Sequence, residues 1–298
     1  MSTRSINDYL AVLGNACTRV GLDPGPALPV RLGENAIFRL PGGIVIRIAR
    51  PGQFDAAARE VKIARWLAYH GVSAVRALPG IAEPVVSKGR AVTFWEELPP
   101  HQHGTPIQIG DMLRRLHTLP LPTSFTLAPL APFVRVADRI DTATILSDAD
   151  RAWLHGRLDE LQDRYAALPS GLPHCVIHGD IWAGNVVSTL DGHAVLLDLE
   201  RCSIGPPEWD LVSIAIKHTS FAWLTKDDYQ QFCDRAGYDV MTWDGFALLR
   251  DIRELRMACY LAQHATEHPA AHNEAQHRIA CLRGTHGPRP WTWTPASG

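Results

Sequence analysis

Between His178 and Asp198 the chain sets two carboxylates and a carboxamide around one turn and the hairpin after it, and no other stretch constrains the molecule as tightly. The segment reads His178-Gly179-Asp180-Ile181-Trp182-Ala183-Gly184-Asn185, and Asp198 closes the apolar run Val195-Leu196-Leu197. Val186-Val187-Ser188 and Ala194-Val195-Leu196-Leu197 flank Asp191-Gly192, a strong hairpin-turn dipeptide, so two short strands are expected there. Such a hairpin folds Asp198 back beside Asn185, within reach of one ion. An amide oxygen and a carboxylate suit Mg2+, whose remaining positions phosphate oxygens and water would fill. Asp180 is the candidate catalytic residue: it would align an attacking hydroxyl and accept its proton late, as the P–O bond forms. The set reads as phosphoryl-transfer chemistry.

His-Gly-Asp, an Asn five residues after the Asp, and an Asp at the end of an apolar strand together resemble the aminoglycoside phosphotransferase family. In that family His-Gly-Asp stands where protein kinases carry His-Arg-Asp. Gly205-Pro206-Pro207-Glu208-Trp209-Asp210-Leu211 is similar to the family's Gly-Asp-Pro-x-x-Asp-Leu segment, and the likeness runs from about Leu32 to about Ser220. The resemblance implies an α+β, two-lobed protein-kinase-like fold. Residues 1–98 would form a nucleotide-binding lobe, a small antiparallel sheet with one main helix, ending in a hinge near 95–99. Residues 99–298 would form a larger, mostly helical lobe with the catalytic loop and the acceptor pocket.

The resemblance also implies ATP or GTP as co-substrate, Mg2+ held by Asn185 and Asp198, and further roles. Arg47 takes the place of the strand lysine that grips the α- and β-phosphates, with Glu60 as its partner acid. Gly33 and Asn35 belong to the turn that approaches phosphate, Val45 covers the base, and Trp95, Glu96 and Leu98 lie at the hinge, where backbone groups read the base edge. His178 braces the catalytic loop, and Asp210 accepts hydrogen bonds from its backbone. Where the family has Asp-Phe-Gly or Asp-Trp-Glu this chain has Asp198-Leu199-Glu200. Glu200 then binds a second metal or an acceptor amine, or is a plain surface residue. Glu208 and Glu254 are candidate acceptor-binding acids, alongside Asp227, Asp228 and Glu267.

The residues themselves support the front lobe. Ala36–Leu40 and Ile44–Ile48 around Pro41-Gly42-Gly43 read as a hairpin, with Ile44, Ile46 and Ile48 on one face and Val45 and Arg47 on the other. Asp55 is a candidate N-cap for a helix over Ala56–Tyr69, stopped by Gly71, and Glu60 lies beside its apolar stripe. Val92–Trp95 is a strand. Further on, Asp111–Leu119 is a short helix, and Ser147-Asp148-Ala149-Asp150 resembles a capping box ahead of a helix carrying Leu154, Leu158, Leu161, Tyr165 and Leu168. Residues 212–283 read as mostly helical, and the tail from Gly284 carries no assignment.

Composition narrows the classes. No apolar run approaches the roughly 18 residues a membrane span needs, and the N-terminus lacks the apolar core of a signal peptide, so a cytoplasmic protein with no membrane or nucleic-acid partner is expected. Six scattered cysteines read as reduced, mostly buried thiols. Residues 1–95 hold 12 Lys+Arg against 6 Asp+Glu, and the remainder 17 against 25. A basic front suits a nucleotide and an acidic remainder suits a cationic acceptor, although two solvated surfaces of unequal composition read the same way. His264 and His268, spaced i and i+4, are either a zinc pair or solvent-facing side chains, and Pro269 favours the latter. Three functions stay open: an antibiotic-resistance phosphotransferase acting on an aminoglycoside or related drug, a metabolite kinase for an amino sugar or amino alcohol, and an inactive nucleotide-binding protein. The oligomeric state is open as well.

Overall fold

Alternation along Ile44-Val45-Ile46-Arg47-Ile48 decides which face of the first sheet is buried and which carries function. A computed structural model describes residues 3–33, 35–265 and 269–295, so Glu267 and His268 fall outside the described residues. The chain divides into two units, the first comprising Met1–Gln108, Pro122–Thr126 and Ala183–Cys202, the second Ile109–Leu121, Leu127–Trp182 and Ser203–Gly298.

In the first unit β1 (Leu28–Leu32), β2 (Ala36–Leu40), β3 (Ile44–Pro51), β4 (Val85–Ser87) and β5 (Arg90–Glu96) form an antiparallel sheet in the order β1-β2-β3-β5-β4. Directly opposed residues share a face. Ile46 lies between Phe38 and Phe94, and Ile48 between Ala36 and Val92, all buried. Val12, Leu13, Ala16 and Cys17 of α1 (Thr3–Arg19) complete this cluster. The helix expected over Ala56–Tyr69 is present, and a further helix precedes the sheet. The first, α1, covers the isoleucine face, and α2 (Phe54–Tyr69) lies on the other, where Ala57 packs on Ala49 and Ala91. Asp55 is not the cap. The helix starts at Phe54 behind Gln53, which makes no side-chain cap bond, and Asp55 sits in the first turn, where a carboxylate still favours the helix dipole.

A second, three-stranded sheet of the same unit joins β6 (His101–His103), β8 (Val186–Thr189) and β9 (Ala194–Leu196) in the order β6-β8-β9, with the β8–β9 hairpin turning at Gly192, whose φ is 85°. Gly104 donates to Val186 O (2.7 Å), and an added Cβ would sit 2.5 Å from that oxygen, so only glycine fits. Leu196 exchanges backbone bonds with Ser73 and Val75 (3.0 and 2.9 Å), which pins the hairpin's far strand.

The second unit is built on most of α3 (Pro106–His117), then α4 (Val136–Thr142), α5 (Asp148–Ala166), α6 (Glu208–Thr219), α7 (Lys226–Ala236), α8 (Phe246–His264) and α9 (Pro269–Leu282), with the strand pair β7 (Cys175–Ile177) and β10 (Ser203–Gly205). Ser147 caps α5 by accepting from Asp150 N–H (3.1 Å), and Leu154, Leu158 and Leu161 are buried as their spacing predicts. The tail has a clear role: Trp291 and Trp293 are buried, Trp293 stacks on Phe221 (4.6 Å between centroids), and Trp291 N–H donates to Ser220 O. All six cysteines are buried, and none is in a disulfide. No described helix is long and apolar enough to cross a membrane.

Candidate active site

Within the first unit, strand register assembles a charged cluster. Arg47 opposes Thr93 and Val45 opposes Trp95, so these four share the face on which α2 lies. From α2, the buried Glu60 accepts from Arg47 Nη1 through both oxygens (2.6 and 2.5 Å). Glu200 accepts from Arg47 Nη2 (2.8 Å), and Asn35, with its amide oxygen turned to the guanidinium, accepts from Nε (3.1 Å) and Nη2 (2.7 Å). Asn35, Arg47, Gln53, Glu60, Thr93 and Glu200 line a cleft. Asn185 immediately precedes β8, its carbonyl accepting from Leu197 N–H (2.8 Å), and so extends the hairpin ladder to the residue before Asp198. Asp198 itself takes a left-handed backbone (φ 53°, ψ 66°) that turns the chain out of the strand.

Electrostatics tie these groups together. Burial alone would lower the Arg47 pKa, but the carboxylates of Glu60, Asp198 and Glu200 outweigh it and hold the guanidinium charged. Burial pushes Glu60 up to about 7, with the charges of Asp198 and Glu200 adding to the rise against the pull of Arg47. One cation faces three carboxylates. That surplus of negative charge would suit a divalent cation, although among the described residues no three His, Cys, Asp or Glu side chains are grouped to hold a metal ion by themselves.

The remaining first-unit residues lie as follows. Gly33 N–H bonds back to Asn35 O (3.3 Å), and its backbone is not left-handed, so nothing local demands glycine there. Trp95 is buried, its indole N–H donating to Thr93 Oγ1 (2.8 Å). The Glu96 and Glu97 amides are engaged by Arg76 O and Gly43 O, and Leu98 follows beyond β5.

Within the second unit, the loop after β7 is clamped from two helices. Asp210 of α6 accepts from the backbone N–H of His178 (2.8 Å) and Gly179 (2.9 Å) and lies 3.1 Å from His117 Nε2. Burial would raise the Asp210 pKa, but the hydrogen bond and charge of His117, with His178 adding charge and a backbone N–H, hold it below the usual range. His178 Nδ1 accepts from Asp180 N–H (3.2 Å). Trp209 Nε1 donates to Gly179 O (2.9 Å), and Ser213 Oγ to Ile181 O (2.9 Å). From α8, Arg253 Nη2 donates to Gly179 O (3.3 Å) and Trp209 O (2.8 Å), its guanidinium lies 4.0 Å from the Trp209 ring centroid, and Nη1 stands 3.9 Å from Asp180 Oδ1. The Asp180 side chain is 52% exposed, a carboxylate presented to solvent from a rigid loop.

Two expected acceptor acids prove to be internal. Glu208 is fully buried and accepts from Leu172 N–H (2.5 Å). Glu254 is fully buried and accepts from Arg289 Nε (2.8 Å) and Nη2 (2.5 Å), a partner supplied by the tail. Burial and internal pairing remove both from the acceptor set, and Glu200 is bound to Arg47 instead of standing free. His264 Nδ1–H donates to Tyr260 O (2.9 Å), and its ring packs on the Tyr260 ring.

Sequence reasoning missed His117, Trp209, Ser213, Lys217 and Arg253. One signal was present: Asp210, Ser213 and Lys217 recur three and four residues apart, a polar stripe on an otherwise apolar helix.

The fold is shared with enzymes of solved structure. A spectinomycin phosphotransferase bound to ADP and spectinomycin superposes with a TM-score of 0.65 at 16% identity, covering 94% of each chain. A choline kinase from Streptococcus pneumoniae gives 0.61 at 14% identity, covering 92% of this chain and 99% of its own. An aminoglycoside phosphotransferase from Streptomyces rimosus ATCC10970 gives 0.57 at 20% identity, over 83% and 97%. At such identities the likeness speaks for the α+β, protein-kinase-like fold. No curated protein matches the chain by sequence. The model of the phosphotransferase enzyme family matches residues 33–275, most of the chain, and the protein belongs to that family.

Proposed function

We propose that the protein is a small-molecule kinase that moves the γ-phosphoryl group of ATP or GTP to a hydroxyl of its acceptor. The observation that carries this reading is the β8–β9 register, which extends from Asn185 to the residue before Asp198 while Asp198 couples to the Arg47–Glu60 pair. Asn185 and Asp198 would hold Mg2+, and Arg47, kept in place by Glu60, would exchange its Glu200 and Asn35 acceptors for phosphate oxygens. Bound Mg2+ bridges phosphate oxygens and neutralises the charge that develops on them. Asp180 would align the acceptor hydroxyl and take its proton as the new O–P bond forms. Its loop, clamped by Asp210, Ser213 and Arg253, supplies the rigidity that alignment needs.

Relatives of this fold are named for spectinomycin, streptomycin and choline, so both an antibiotic hydroxyl and a metabolite hydroxyl are within the class. The test is ADP formation from Mg·ATP with panels of amino sugars, antibiotics, amino alcohols and hydroxy acids. Asp180→Ala should lower turnover by about 10²–10⁴-fold, the range for loss of a positioned base, while nucleotide affinity stays within about twofold. Near-normal turnover in that variant would remove Asp180 from its role.

A further inference from the structure

We propose that the acceptor carries an acidic group, a carboxylate or a phosphate, and that the Lys217 ammonium, backed by the charge of Arg253, binds it beside Asp180. The inference rests on the kinase reading for the reaction and on the second unit's geometry for the anion.

Asp210, Ser213 and Lys217 follow one another on a single face of α6. Asp210 and Ser213 are engaged by the catalytic loop, on the amides of His178 and Gly179 and on Ile181 O. Lys217 is one turn further along that face. Its charge couples to Arg253 and Asp180, and to Arg278 beyond them. Its Nζ lies 4.9 Å from the Trp223 ring centroid, and among the described residues no carboxylate, hydroxyl or carbonyl accepts a hydrogen bond from it. Arg253 likewise keeps a buried Nε with no acceptor.

Lys217 is half-buried, and an ammonium partly withdrawn from water with an aromatic face but no hydrogen-bond acceptor is costly to hold. Here burial brings the Lys217 pKa down to about 8, against the lift from Asp180. A charge held at that cost implies an anion that reaches it during the working cycle. Of the two carboxylates that face these cations, Asp210 is engaged by the loop amides and His117, so Lys217 and Arg253 beside Asp180 disfavour a polycationic acceptor and complement an acidic one. Glu208 and Glu254, the acids that would have welcomed a cation, are internal. The terminal phosphate of the nucleotide is the other source of the same anionic chemistry, and the experiment separates the two.

D-glycerate and inorganic phosphate serve as anionic probes and ethanolamine as the cationic one, each titrated calorimetrically into the full chain with and without Mg·AMP-PNP. The unaltered protein should bind the anions in preference to ethanolamine, with Mg·AMP-PNP leaving that binding in place. Lys217→Met should weaken anion binding by about tenfold or more, Lys217→Arg should hold it within about threefold, and AMP-PNP affinity should change by less than about twofold in both. Because Lys217→Met removes a desolvated charge, it should melt no lower than the unaltered protein, and Lys217→Gln serves as a second neutral variant. Anions that bind the neutral variants undiminished, a preference for ethanolamine, or no anion binding at all would each overturn the proposal. Displacement of the anion by AMP-PNP but not by ADP would also overturn it, assigning Lys217 to the nucleotide's phosphate. Failure of the kinase reading appears elsewhere, as absent Mg·AMP-PNP binding with the Lys217-dependent anion titrations intact.

Discussion

Arg47 meets acceptors with all five of its N–H donors: two on Glu60, one on Glu200 and two on Asn35. Such a fork is what an arginine can complete and a lysine cannot, which gives a physical reason for arginine at this strand position. Arg47→Met strands the buried Glu60 carboxyl and should cost about 3–5 kcal/mol in urea unfolding, the range for breaking a buried pair from one side. A loss under about 1 kcal/mol would show that the pair is not held as described. Lys217 makes a pH-dependent prediction. Its folded pKa of about 8 lies below the ordinary 10.5, so the unfolded chain keeps its proton longer as pH rises. Stability should therefore climb with pH between those two values relative to Lys217→Met, whose curve lacks this contribution. Parallel curves for the two proteins across that window would contradict the lowered pKa of Lys217.

At the scale of elements, α6 holds the loop that carries Asp180 in the second unit, and the β8–β9 hairpin sets Asn185 and Asp198 in the first. Asp210→Ala leaves two loop amides and His117 without their acceptor, and should lower turnover at least about tenfold with nucleotide affinity nearly unchanged. Unaltered turnover would mean that the loop holds itself. Elements whose boundaries come from local chemistry were legible from sequence: the Asp191-Gly192 turn, the Ser147 cap of α5, and the alternation that buries Ile46 and Ile48 while leaving Arg47 to function. Ser147→Ala should cost about 1 kcal/mol, read as a lowered melting temperature, since it removes the acceptor for Asp150 N–H. Helix α1 was not legible in the same way. Its Tyr9, Val12, Leu13 and Ala16 recur at helical spacing, but the surface it covers exists only once β2, β3 and β5 have paired. Lys217 and Arg253 were hidden for a related reason. Their surroundings depend on how α6 and α8 pack, which periodicity along either helix does not encode.

For the molecule as a whole, the family match, the shared fold and the local geometry agree on phosphotransfer, while the acceptor separates from the expectation drawn from net charge. The acidic surplus of residues 96–298 suggested a cationic acceptor, yet near Asp180 the charges are Lys217 and Arg253, and two of the expected acids are internal. Summed charge reports the surface, whereas a site is set by the few groups that folding brings to it. The most direct measurement of the central claim is calorimetric titration of Mg·ATP into Asp198→Ala alongside the unaltered protein. If Asp198 and Asn185 hold the cation against the phosphates, the variant should bind Mg·ATP at least about tenfold more weakly and lose most of the Mg2+ dependence of nucleotide binding. Equal affinity with an unchanged Mg2+ dependence would contradict the account.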